Sequence, residues 1–160
     1  MKRGLPSLVE LPSEGFSGPY PDFPVPTLDI FRKVTEEGGV IRYEFDSAAT
    51  KAFRARELQV WTDHWSFPQA ASWTNEPWCW LELAHFCRTV AQVERDPAPS
   101  ASLQGRLAAY RLSLGLSADG LKSRGWAIAV DVVGEKRAEK KPAPRKSARD
   151  RLAIVDASGS

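Results

Sequence analysis

The chain has 160 residues, enough for one compact domain with tails, and its 22 Lys or Arg against 20 Asp or Glu leave a formal charge of only +2. That balance argues neither for nor against a nucleic-acid partner, so the placement of charge matters more than its sum. No run approaches the ~18 apolar residues of a membrane span, and Pro6, Ser7, Glu10 and Pro12 interrupt the stretch after Met1-Lys2-Arg3; neither a membrane helix nor a signal-peptide core is expected.

Residues 1–27 carry Pro6, Pro12, Pro19, Pro21, Pro24 and Pro26 with Gly4, Gly15 and Gly18 between them. This composition predicts an extended or disordered arm, which Phe16, Tyr20 and Phe23 could lay against a neighbouring surface. Residues 28–133 are expected to form the core domain. In its first part, the apolar-alternating runs Ile30–Val34 and Val40–Phe45 flank Glu36-Glu37-Gly38-Gly39, the pattern of a small hairpin. A helix through Leu28–Glu37 is the competing reading. An isolated hairpin is marginal in water, so this one needs the helices or another subunit to dock on.

Asp46-Ser47 caps a helix through Ala48–Trp65, with Phe53, Val60, Trp61 and Trp65 inward and Lys51, Arg54 and Arg56 towards solvent. The stretch Glu57–Val93 holds five of the six tryptophans, Trp61, Trp65, Trp73, Trp78 and Trp80. Each aromatic side chain can bury ~150–250 Å², so these rings can pin a small core. Ser66-Phe67-Pro68 and Thr74-Asn75-Glu76-Pro77 look like capped helix starts. Trp80, Leu83, Ala84, Cys87, Val90 and Ala91 recur at the helical period. Arg95–Pro99 breaks the chain. A helix then runs over Ser100–Leu114, with Leu103, Leu107, Tyr110 and Leu114 in line and Gly115 as a left-handed cap. Ser117 caps a further turn or two, Ala118–Trp126, with Asp119 at its positive end. Trp126, Ile128, Val130 and Val132 continue it as a helix extension or a short strand.

From Gly134 onward, Lys136, Arg137, Lys140, Lys141, Arg145, Lys146, Arg149 and Arg151 stand against only Glu139 and Asp150 between 136 and 151. Such a segment cannot hold a core and reads as a flexible basic tail. The expected fold class is therefore mainly α: four to five helices with a small hairpin, a Pro-rich arm and a basic tail.

Catalytic signatures are missing. Neither a G-x-x-x-x-G-K-[ST] phosphate loop nor a G-x-G-x-x-G fingerprint occurs. His64 and His85 sit on different predicted helices, and His85 and Cys87 face opposite ways on one of them, so no metal ligand set is expected. Cys79 and Cys87, eight residues apart on one helix, would be about 12 Å apart, too far for a disulfide. Two unbridged thiols fit a reducing, cytoplasmic compartment. The expectation is a protein without enzyme activity or cofactor that binds something large. Lys122 and Arg124, the basic tail, and Lys51, Arg54 and Arg56 are the candidate DNA-contacting residues.

Trp61-x-x-x-Trp65, Pro68-Gln69-Ala70, Trp73, the acidic-aromatic helix start, the Pro/Ser-rich break and LGLSADGLKSRGWAI together resemble the terminase small subunits of tailed double-stranded-DNA phages, chiefly those of actinobacterial hosts. The likeness runs over Glu57–Ile128, and RKSARDRL (Arg145–Leu152) is similar to family tails. Ala118 stands where proline is common, and Gly120 and Gly125 weaken the last helix by about 0.5–1 kcal/mol each relative to alanine. The resemblance implies a ring-forming, non-enzymatic protein that recognises concatemeric viral DNA in the host cytoplasm. It would deliver that DNA to the large subunit, which carries the ATPase and nuclease. Two other readings stay open: a helical transcriptional regulator using 103–126 as a helix-turn-helix, and a protein-interaction adaptor whose tail meets an acidic partner.

Overall fold

The computed structural model describes residues 8–129; the tail from Gly134 lies outside them. Within that range the order is β1 (Val9–Leu11), β2 (Phe31–Thr35), β3 (Ile41–Phe45), α1 (Ser47–Trp65), α2 (Ala70–Trp73), a 3-10 turn (Pro77–Cys79), α3 (Trp80–Arg95), α4 (Ala101–Ser113), α5 (Ala118–Arg124) and β4 (Trp126–Ile128). The mainly helical expectation holds, and so does the hairpin: β2 and β3 pair antiparallel, Phe31 opposite Phe45 and Thr35 opposite Ile41.

α1 starts where Asp46, in extended backbone, accepts a 2.9 Å hydrogen bond from the Ala49 N–H. Its inward face carries Phe53, Glu57, Val60, Trp61 and Trp65, all buried. α3 packs on it through Leu83, Ala84, Cys87 and Ala91, and α4 packs on α3. Trp65 is the hub of the aromatic core. Its ring centroid lies 5.5 Å from Trp61, 5.9 Å from Trp73 and 6.3 Å from Trp80, each edge to face. Three indole N–H groups tie segments together: Trp61 donates to Pro21 O, Trp73 to Leu114 O and Trp80 to Trp73 O. Trp78 departs from expectation. The 3-10 turn rotates it outward, and it is 67% exposed.

The expected caps at Ser66 and Asn75 do not form as N-caps. Ser66 Oγ donates back to Asp63 O and Asn75 Nδ2 to Ala71 O, so both close the preceding helix instead. The later punctuation is closer to expectation. Ser117 caps α5 as expected, and Ser100, expected as the first residue of its helix, instead caps α4. At the end of α4, Leu116 N–H donates to Arg111 O and Gly115 takes φ +74°, the left-handed closure that glycine adopts freely. A Cβ there would also lie 2.7 Å from the Trp126 ring. Gly120, expected to weaken α5, has a packing reason: its added Cβ would meet Leu112 O at 2.6 Å, so only glycine lets α5 approach α4 this closely. α5 ends at Arg124 rather than Trp126, because Gly125 turns left-handed and Trp126–Ile128 leave as a strand.

The Pro-rich arm corrects the disordered alternative. Residues 8–27 are extended, as composition suggested, but they pack on the core through a few of their side chains. β1 pairs parallel with β4, Leu11 opposite Ile128, and Leu11 and Val25 are buried. Phe23 meets Trp61 edge-on at 5.3 Å, and Tyr20 stacks on Trp65 at 5.6 Å. A buried carboxylate fixes the arm. Glu57, fully buried, bonds Arg54 on its own helix and Arg88 of α3. Arg54 also donates to Val25 O, and Arg88 to Pro26 O.

Removing that carboxylate leaves two part-buried guanidinium groups uncompensated. Glu57→Ala should lower the unfolding free energy by roughly 3–5 kcal/mol in chemical denaturation, with weakened amide protection at Val25 and Arg54. A drop under about 1 kcal/mol would show that the arm is held by its aromatic contacts alone.

Candidate nucleic-acid interface

The described candidates divide by what already holds them. Lys51 on α1 and Lys122 on α5 are exposed and make no ion pair among the described residues. Arg56 is exposed but bound end to end, Nε and Nη2 donating to the two Glu94 oxygens at 2.6 and 2.8 Å. Glu94 holds the Arg56 guanidinium above its ordinary pKa, and Arg56 holds the Glu94 carboxyl below its own. A phosphate would have to displace that carboxylate.

Arg54 and Arg124 are corrections. Arg54 does not face solvent: its guanidinium lies 4.6 Å over the Phe23 ring, bound to Glu57 and Val25 O. Its spacing from Lys51 suggested a shared face, but the arm covers α1 at Arg54. The Arg124 side chain is only 14% exposed. Its guanidinium lies 4.6 Å from the Trp126 centroid and 5.2 Å from Trp78, pairs with Glu76 at 2.6 Å and donates to Ser113 O. It joins α4, α5, β4 and the 3-10 turn, and is spent on the fold. Lys136, Arg137, Lys140, Lys141, Arg145, Lys146, Arg149 and Arg151 lie outside the described residues.

The helix-turn-helix candidate is thereby reduced. α5 has seven residues, and of its two basic side chains one is held by Glu76 against Trp78 and Trp126. Other cations occupy exposed positions on α4, Arg106 and Arg111. Sequence reasoning missed them; their signal is that they fall off the Leu103, Leu107, Tyr110 stripe.

Burial pushes the Cys79 thiol up to about 12 and raises Cys87 as well, so both stay protonated. His64 sits between the Phe67 and Phe86 rings at 4.7 and 5.0 Å, and its Nδ1 donates to Val60 O. Desolvation lowers its pKa. No group of three or more His, Cys, Asp or Glu side chains could hold a metal among the described residues. Two open grooves, about 420 and 360 Å³, flank Phe53; their charged lining is Arg95 and Asp96 in one, and Arg56, Glu94 and Arg95 in the other. Among the described residues no helix is long and apolar enough to cross a membrane.

No family model matches this chain, nor does any curated protein or solved structure.

The basic and imidazole side chains have distinct expected effects. Arg124→Ala should destabilise by roughly 1–3 kcal/mol, since it leaves Glu76 and Ser113 O without their donor, whereas Lys122→Ala should stay within about 0.5 kcal/mol; urea melts distinguish them. Because the His64 pKa is lowered on folding, the unfolded chain binds the extra proton first. Stability should therefore fall as pH drops below about 6.5, and His64→Gln should flatten that slope in thermal melts between about pH 5 and 7.5.

Proposed function

We propose that this chain is a terminase small subunit. It binds viral double-stranded DNA in the host cytoplasm as a homo-oligomeric ring, and delivers it to the large terminase subunit without catalysis of its own. The observation that carries this reading is the convergence of the residues behind the resemblance. Trp61, Trp65, Gln69, Trp73, Gly115 and Trp126, spread over the sequence, meet in one core: Gln69 donates to Gly115 O, Trp73 to Leu114 O, and Trp126 covers Gly115. Their shared place in one core supports reading them as a single motif.

DNA engagement falls chiefly to the tail, Lys136–Arg151, with Lys122 and Lys51 as additional exposed cations. Many weak phosphate contacts repeated around a ring multiply into firm binding. The engagement of Arg124 supports backbone contact over base reading by α5, and so favours packaging over the regulator.

Deleting 134–160 should weaken binding to a DNA duplex and flatten its salt dependence, by about 0.9 in log–log slope for each phosphate no longer neutralised. Fluorescence anisotropy at several salt concentrations measures both. Unchanged affinity and slope would overturn the role of the tail, and a chain that fails to bind duplex even at low salt would overturn the DNA reading. Native mass should show more than two copies per assembly; a particle no larger than a dimer would overturn the ring.

A further inference from the structure

The β2–β3 hairpin stands off the helical core with its most apolar side chains outward. Phe31, Ile41, Tyr43 and Phe45 share one face and are each more than half exposed. The opposite face holds Arg32, Arg42 and Glu44, linked by ion pairs of 2.9 and 2.6 Å. A two-stranded ribbon of this kind is marginal by itself and gains stability from further strands.

The backbone shows where those strands can be added. Asp46 N–H donates to Ile30 O and Glu36 N–H to Val40 O, each at 2.8 Å. Hydrogen-bonded pairs alternate along an antiparallel ladder, so Arg32–Glu44 and Val34–Arg42 are the internally bonded pairs. The N–H and C=O groups of Ile41, Tyr43 and Phe45 therefore point away from β2, along a free edge.

We propose that two copies of this chain join through β3, antiparallel and centred on Tyr43, to make one four-stranded sheet. The strand Ile41-Arg42-Tyr43-Glu44-Phe45 is its own complement in that register. Tyr43 faces Tyr43, Ile41 of each copy faces Phe45 of the other, and Arg42 faces Glu44 twice. The three residues with outward backbone groups are the ones that meet their counterparts and exchange hydrogen bonds. Sliding by two residues would set Arg42 on Arg42 or Glu44 on Glu44, and self-pairing of β2 would set Lys33 on Lys33; like charges directly opposite are unfavourable. Nucleic acid is the poorer occupant. Residues 31–45 carry Arg32, Lys33 and Arg42 against Glu36, Glu37 and Glu44, a net charge of zero. The pairing does not depend on the DNA-packaging role. Its two-fold symmetry makes the number of copies in any assembly even.

The test uses the full chain without DNA. Paired hydrogen-bonded positions put Cα atoms about 5.5 Å apart, within disulfide reach. Tyr43→Cys should form a covalent dimer on mild oxidation, seen on a non-reducing gel, while Lys33→Cys should not; the native Cys79 and Cys87 are buried. Arg42→Glu and Glu44→Arg should each weaken self-association at least tenfold in sedimentation, with the helical circular dichroism unchanged, and an equimolar mixture of the two should restore it. A purely structural role for these side chains would not be rescued by mixing. A wild-type chain that sediments as a single copy, absence of the Tyr43→Cys cross-link, equal cross-linking at Lys33, or failure of the mixture would overturn the pairing. Weaker DNA binding in any of these variants bears on the packaging reading alone.

Discussion

A single buried carboxylate sets the arrangement of this molecule. Glu57 lies on the inward face of α1, flanked there by Phe53, Val60 and Trp61, and an ion in such a place is costly unless fully partnered. Arg54 and Arg88 supply the partners, and their remaining donors reach Val25 O and Pro26 O. Those carbonyls belong to a proline-rich segment that forms no helix or sheet ladder of its own there. One cluster thus meets two needs, the charge inside and the bare backbone outside. Once Val25 and Pro26 are fixed, Phe23, Tyr20 and Phe16 fall against Trp61 and Trp65. With total stabilities of domains this size at about 5–15 kcal/mol, the cluster is a large share of what keeps the arm in the core.

Much of the helical frame was legible because local rules and tertiary packing agree there. Asp46 and Ser117 cap where their side chains were expected to, and Gly115 closes α4 where a left-handed residue was expected. The hairpin was legible from Gly38-Gly39 between alternating runs. The arm was misjudged because proline and glycine content reports on the chain's own preferences. It does not reveal a guanidinium pair arriving from Arg54 and Arg88, the second of them far along the sequence. Glu57 itself carried a readable signal: it falls between Phe53 and Trp61 at helical spacing, where a charge must have a partner.

The candidate binding residues were the least legible. Lys51, Arg54 and Arg56 look alike in sequence, yet they become an exposed lysine, a covered clamp and a bidentate ion pair. Their fates depend on Glu57, Val25 and Glu94, which helical periodicity alone does not connect to them. Arg124 shows the same limit. It resembles a phosphate contact at the end of a basic helix, but Trp78 and Trp126 close over it and Glu76 neutralises it. Trp78, by lying outside the core, completes that stack.

The parallel pairing of β1 with β4 places the last described residue, Ala129, beside Leu11, whose carbonyl accepts its N–H. Among the described residues each of these two strands has the other as its ladder partner, so the first and last segments of the described fold are kept or lost together.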